Sequence, residues 1–377
     1  MTQTYTPKER VLQSLRFEEP DRVPLDIGGI NNTTMHLQVE QRLKEYLGIN
    51  GKPSEMKAFN QQVVIPDERI LQHFGADTRT LYISEVTPWE RQPDGTYIDQ
   101  WGLGYALNPD GNFYNFCSHP LSAASTLEDL EQYEFPDPRA EVMVAGLEER
   151  ATALKEYCLI LEGLREPIFG LPSWLRSHAE FYMDLVADEG FAAAFLDRVV
   201  DYHLQLIDFL LERLGPYLDI VKIGDDLGTQ GNLIISPRTY RKLIKPRQAM
   251  LYQRIKAKSD CKLLLHSCGA IRSIIPDLIE IGVDALNPVQ ITAAGMEPAS
   301  LKQEFGDKIA FWGGGIDTQE VLPRGTPQEV REHVKHNLER FKDGGGYVFA
   351  QVHNIMPEVP LANILAMYDA YHEFAAY

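Results

Sequence analysis

The residues best suited to chemistry in this chain sit where short apolar runs end. In KLLLHSCGAI an apolar run closes on His266-Ser267-Cys268-Gly269, and a helical stretch follows. Positions i and i+2 of an extended segment point the same way, so the imidazole and the thiol share one side of the chain. Such a pair is half of a Zn²⁺ site; the other reading is a buried Cys beside a hydrogen-bonded His. The last apolar run, in GGGYVFAQVHNIMPEVP, ends in Gln351, His353 and Asn354. His266, Cys268 and His353 together supply three protein ligands and leave a fourth position open, the pattern of a catalytic zinc site. A thiol held in that position becomes a thiolate, a strong nucleophile at neutral pH. Without a metal, His353 reads as a donor that orients a substrate.

Other run ends are polar in the same sense. Glu162 and Arg165 lie in LILEGLREPIFG, Asp225 and Asp226 follow IVKIG, and Asn287 and Gln290 close a later run. Glu162, Asp225 and Asp226 are the candidate catalytic carboxylates, and Arg165, Asn287, Gln290 and Gln351 the candidate substrate contacts. Each carboxylate competes with a helix-capping role, Asp317 before Thr318 above all. The run Gly313-Gly314-Gly315 leaves backbone open to a phosphate or a bulky ring, but no GxGxxG or P-loop spacing accompanies it. His36, His73, His178, His203, His333, His336 and His372 read as surface or packing residues. Cys117 and His119 have metal-like spacing but fall in a segment that reads as an insertion.

The elements that position these residues alternate. Short apolar or β-branched runs are followed by amphipathic stretches, the signature of repeated βα units. Candidate strands are 23–27, 78–83, 158–162, 219–223, 262–266, 285–288, 309–312 and 347–352. Eight such runs predict a (β/α)8 TIM barrel with an N-terminal helical segment, one domain spanning 1–377. Polar strand ends then gather at its C-terminal face. TPQEVREHVKHNLERFKDGGG predicts a helix with a Thr cap, Pro at its first position, Glu329 in a capping box and a Gly stop. Pro276 predicts a helix start or a kink. The stretch GTYIDQWGLGYALNPDGNFYNFCSHPL reads as short antiparallel strands with NPDGN as a turn, an insertion at about 86–125.

Bulk properties narrow the partners. The 377 residues carry 54 acidic against 36 basic side chains, a formal charge of −18. Such a chain repels nucleic acid and anionic membrane surfaces, and no basic run interleaved with aromatics appears. No apolar run approaches the roughly 18 residues that cross a bilayer. The N-terminal stretch shows no apolar leader core, and four scattered cysteines do not suggest a disulfide framework. A cytoplasmic enzyme is the expectation, with a homo-oligomer left open.

The chain resembles the uroporphyrinogen decarboxylase superfamily over nearly its full length. The resemblance rests on PKERVLQSLRFEEPDRVPLDIGG, HFGADTRTL, YIDQWG, ISPRTYRKLIKPRQAML, LLLHSCGAI, FWGGGIDTQEVLPRGTPQEV and VHNIMPEVPLANILAMYDA. It implies the barrel and points to two branches. The decarboxylases hold tetrapyrrole carboxylates with an N-terminal arginine-rich segment of the type RQAGRYLPEY. Here that stretch reads PLDIGGINNTTMH, with Arg79 and Arg165 as the remaining candidates. The other branch, the zinc-dependent, corrinoid-linked methyltransferases of the methylcobamide:coenzyme M type, carries His-x-Cys and a distant Cys on the final strand. His266 and Cys268 match the first two positions, and His353 stands at the third. That branch implies Zn²⁺, a corrinoid (methylcobamide) carried on a partner protein, and a small thiol or pterin methyl acceptor. A tetrapyrrole decarboxylase and a non-catalytic corrinoid- or tetrapyrrole-binding protein are the alternatives.

Overall fold

In a computed structural model, which describes residues 5–377, seven short strands form one parallel sheet. They are Thr78–Tyr82 (β1), Cys158–Glu162 (β2), Ile220–Gly224 (β3), Lys262–His266 (β4), Ala285–Asn287 (β5), Ala310–Trp312 (β6) and Tyr347–Val348 (β7). They lie side by side in chain order. Helices run between successive strands, so the architecture is a curled α/β sheet wrapped by helices.

Side-chain parity explains how the sheet positions a site. Leu159 and Leu161, Val221 and Ile223, Leu263 and Leu265 join the large cluster that also holds the helices. The alternate residues Cys158, Ile160, Ile220, Leu264, Ala285, Ala310, Trp312 and Val348 form a separate buried cluster on the concave side. Val11 and Leu15, from and beside the helix Pro7–Ser14, close that inner cluster at its base. Two residues further along the same parity come Glu162, Lys222, His266 and Asn287. The inner face is therefore an apolar plug topped by a polar layer at the C-terminal strand ends.

One expected strand does not form. Residues 23–27 make no regular ladder; Leu25 makes a single parallel bridge to Phe349. Pro24 has no N–H to give, which interrupts pairing at this point. The segment still lies between the two outer strands. Phe349 N–H donates to Pro24 O at 2.8 Å, and Asp77 N–H to Leu25 O at 2.8 Å. The ladder of β7 is also shorter than the expected 347–352. Beyond Val348 the chain stays beside residues 315–316, with Gly315 N–H to Ala350 O at 2.9 Å and Val352 N–H to Ile316 O at 3.1 Å. The strand expected at 285–288 stops at Asn287, before Pro288.

The helix Pro7–Ser14 is the expected N-terminal helical segment. Pro327–Phe341 starts with the Thr326–Glu329 capping box, and Pro276 sits in the first turn of Ile275–Glu280. The insertion is a four-stranded antiparallel sheet of Glu90–Arg91, Tyr97–Ile98, Gly104–Leu107 and Tyr114–Ser118. Phe59, Trp89, Tyr97, Tyr105, Phe116 and Trp174 knit it to its surroundings through rings 4.2 to 5.6 Å apart. No helix among the described residues is long and apolar enough to cross a membrane.

Candidate metal centre

β4 reads KLLLH because both of its faces are buried for most of its length. Its last residue, His266, points inward above Leu264, and Cys268 follows on the loop. His353 arrives from the segment after β7. The donor atoms of His266, Cys268 and His353 all lie within 4.8 Å of one another, and His266 Nε2 is 3.4 Å from Cys268 Sγ. The structure thus brings together three residues separated by up to 87 positions in sequence.

Neighbouring side chains orient the two rings. His266 Nδ1 is 2.6 Å from Asn287 Oδ1, so that nitrogen carries the proton and Nε2 turns its lone pair toward Cys268. Asn287 in turn donates to Trp312 O. His353 Nε2 lies 3.2 Å from Asn32 Nδ2. Burial, then the charge of His266, pushes His353 down to about 4, so the ring is neutral near pH 7 and offers a lone pair. The Cys268 thiol is pushed well up by burial and by the negative charges of Asp226 and Glu166. A soft sulfur, two imidazoles and surplus negative charge at ligand spacing suit a borderline-soft divalent cation such as Zn²⁺.

The other expected residues divide. Asp226 is at the cluster: its Oδ1 accepts from Cys268 N–H at 2.8 Å and lies 3.4 Å from His266 Nε2. Burial raises its carboxyl, but the facing His266 ring and the Cys268 N–H prevail and hold it below the usual carboxylate range. Asp225 turns elsewhere. Its Oδ1 takes the N–H groups of Ile168, Phe169 and Gly170, and its Oδ2 takes Gln248 Nε2. It fixes the start of the helix Gly170–Arg176. Glu162 is buried between Lys57 Nζ at 2.6 Å and Lys222 Nζ at 3.2 Å, and accepts Asn31 N–H. Burial would raise it, but the two ammonium groups lower it.

Asn287 therefore orients a ring, and Gln290 braces the Cys268 loop by accepting Gly269 N–H at 2.8 Å. Gln351 donates to Thr33 O and Thr34 O. Arg165 pairs with Glu85 and Asp99 at the insertion. Arg79 is buried against Glu68 and Tyr157. Asp317 caps a turn through the N–H groups of Gln319, Glu320 and Val321. The glycine run has a packing reason: an added Cβ at Gly315 would overlap the Phe349 ring. His119 is bonded to Trp174 O, and Cys117 is exposed. A groove of about 750 Å³ along the outer helix Pro327–Phe341, lined by Arg324, Glu332, His333 and His336 among others, shares no residue with the cluster.

Sequence reading missed Lys57, Lys222, Asn32 and Glu166. Lys222 had a signal, a charge at an inward position inside IVKIG. Lys57, on the short strand Glu55–Ala58, and Asn32, in the single helical turn Asn31–Thr33, come from far away in sequence and had none.

The uroporphyrinogen decarboxylase (URO-D) family matches residues 109–374. A methylcobamide:CoM methyltransferase, MtaA, of Methanosarcina barkeri is 27% identical over 158 residues, 42% of this chain and 42% of that protein. The chain thus spans about two fifths of the length of that relative. A uroporphyrinogen decarboxylase of Legionella pneumophila (strain Lens) is 23% identical over 97% of this chain and 96% of its own. A solved methyltransferase from Methanosarcina mazei shares the fold, with a TM-score of 0.67 over 99% of this chain and 100% of the other at 18% identity. The family match runs from the insertion to the final helix and takes in all three clustered residues, so the chain belongs to the uroporphyrinogen decarboxylase (URO-D) family.

Proposed function

We propose that this chain is a zinc-dependent methyltransferase that moves a methyl group between a corrinoid and a thiol or pterin acceptor. The observation that carries the reading is the convergence of His266, Cys268 and His353 at the C-terminal strand ends. In a decarboxylase of this family the need is for free guanidinium groups to hold substrate carboxylates. Here Arg79 and Arg165 are both committed to acidic partners. The relative named a methylcobamide:CoM methyltransferase supports a corrinoid as the other participant, brought by a partner protein. We read the fold as a (β/α)8 barrel, one domain over 1–377, in which residues 23–27 take the eighth strand position.

His266 Nε2, Cys268 Sγ and a His353 nitrogen would hold the ion. When bound, Zn²⁺ lowers the pKa of a coordinated thiol and so supplies a nucleophile at neutral pH. The chain's own residues do the rest. Asn287 keeps the His266 lone pair aimed inward. The Lys222 ammonium, held by Glu162, places positive charge on the same inner layer and favours an anionic acceptor there. Glu166, whose carboxyl is pushed well up by burial and by the charges of Asp226 and Asp225, is the candidate base for the proton that an acceptor thiol must lose.

The test is metal analysis followed by a transfer assay. Purified protein is expected to hold about one zinc per chain, Cys268→Ala and His266→Ala are expected to lose it, and methylcobalamin is expected to be demethylated in the presence of a thiol. Equal trace zinc in the wild type and Cys268→Ala would end the reading. Conversion of uroporphyrinogen with loss of carboxyl groups would favour the decarboxylase instead.

A further inference from the structure

A thiolate offers lone pairs in several directions, but a neutral imidazole offers one, in the plane of its ring. A histidine ligand therefore has to be held by its second nitrogen. His266 is held in this way by Asn287 at Nδ1, which leaves Nε2 facing Cys268. On His353 the engaged nitrogen is the other one. Its Nε2 lies 3.2 Å from the side-chain amide of Asn32.

The chain holds that amide firmly. Residues 31–36 run beside the segment that carries His353. Gln351, two residues before His353, donates to Thr33 O and Thr34 O, and Asn354, one residue after it, donates to Asn31 O. Met35 bridges to Ile355. On the far side, Asn31 N–H is tied to Glu162 Oε1 at 2.6 Å and Thr33 Oγ1 to Asp26 Oδ2 at 2.8 Å. Asn32 is thus fixed between two anchored neighbours, and only 6% of its surface is exposed.

The proton on the His353 ring decides how the amide must face. If Nε2 accepts from the Asn32 amide nitrogen, the ring carries its proton on Nδ1 and has no lone pair left for an ion. Turned end for end, the amide instead accepts the Nε2 proton, and Nδ1 keeps a free lone pair. The oxygen that then accepts, Asn32 Oδ1, is otherwise buried without a partner. Each imidazole of the cluster then donates to one asparagine oxygen, but from opposite nitrogens.

We propose that Asn32 is the positioning residue of His353, its oxygen holding the Nε2 proton, and that the metal centre is bound by unlike nitrogens of its two histidines, Nε2 of His266 and Nδ1 of His353. The inference rests on the metal-centre reading above, and its experiment separates the two. A crystal structure of the Zn²⁺-loaded wild type shows which nitrogen meets the ion. Chelator competition gives the Zn²⁺ affinity of wild type, Asn32→Leu and Asn32→Asp. Leucine fills a similar space without an acceptor, and aspartate restores one. The ion is expected on His353 Nδ1, with Asn32 still bonded to Nε2. Asn32→Leu is expected to bind Zn²⁺ about 10- to 100-fold more weakly, and Asn32→Asp at least as tightly as the wild type. An ion on His353 Nε2, or wild-type affinity in Asn32→Leu, would overturn the inference while the metal centre stands. An Asn32→Asp protein as weak as Asn32→Leu would do the same, since a lost acceptor would then not be the cause. The nitrogen is read from the wild type alone, so the outcome does not depend on either variant folding. A wild type that binds no zinc would overturn both readings.

Discussion

Asn287 has the most direct hold on the centre without being a ligand in it. Its oxygen is 2.6 Å from His266 Nδ1, and its amide is pinned to Trp312 O. Asn287→Ala is expected to lower zinc affinity about 10- to 100-fold while the folded state persists, because the ring loses its fixed tautomer. Chelator competition beside circular dichroism checks this, and an unchanged affinity would refute it. At this scale much of the site was legible. His266 and Cys268 show as an i, i+2 pair at a strand end, and His353 as the polar end of the last run. Where Asp225 turns was not legible, because adjacent residues of an extended chain point opposite ways and only the fold shows which carboxylate meets Phe169 N–H. Lys57 was not legible, since nothing in EMKA says that it ends beside Glu162.

At the level of elements, the contact between the loops after β3 and β4 decides whether Asp226 and Cys268 share a site. Gly269 has φ +88° and no room for a Cβ. Gly269→Ala is expected to destabilise the protein by about 1–3 kcal/mol and to weaken metal binding as well. Thermal melting with and without zinc measures both, and a variant that matches the wild type in both would contradict the claim. The long helix Glu189–Leu214 gives a pH-dependent prediction. His203 on it is buried, its ring parallel to Trp101 of the insertion at 6.5 Å, and burial holds its pKa at about 4 against an ordinary 6.5. The folded-state value is depressed, so as pH falls the unfolded chain takes the proton first. The contribution is complete above pH 6.5 and is lost between 6.5 and about 4, roughly 3 kcal/mol in all. Urea midpoints at pH 7 and pH 5 are expected to differ less for His203→Phe than for the wild type. Equal differences would refute it. Strand order and helix starts were readable from periodicity and caps. The ends of β5 and β7 were not, because the hydrophobic pattern runs on after the ladder stops.

For the molecule as a whole, the joint between β1 and β7 is the part that sequence pattern represented least well. Residues 23–27 have the composition of a strand yet make one bridge, and buried charge does what a ladder does elsewhere. Asp77 takes Arg10 Nη1 at 2.6 Å, Arg22 Nη1 at 2.8 Å and Leu25 N–H at 2.8 Å. Asp77→Asn strips the negative charge from two guanidinium groups at a buried point, and a loss of about 3–5 kcal/mol is expected. A denaturant midpoint measures it, and a loss under about 1 kcal/mol would show that the joint is held by other means. The single bridge also has a consequence for the order of events during synthesis. Leu25 leaves the ribosome more than three hundred residues before Phe349, its partner. Until then β6 and residues 23–27 present unpaired edges and the inner apolar cluster lies open on one side, both of them invitations to aggregate. Closure depends on contacts between the most distant parts of the chain, the slowest kind to form. A nascent chain halted before residue 347 is therefore expected to need chaperone cover that the finished chain does not.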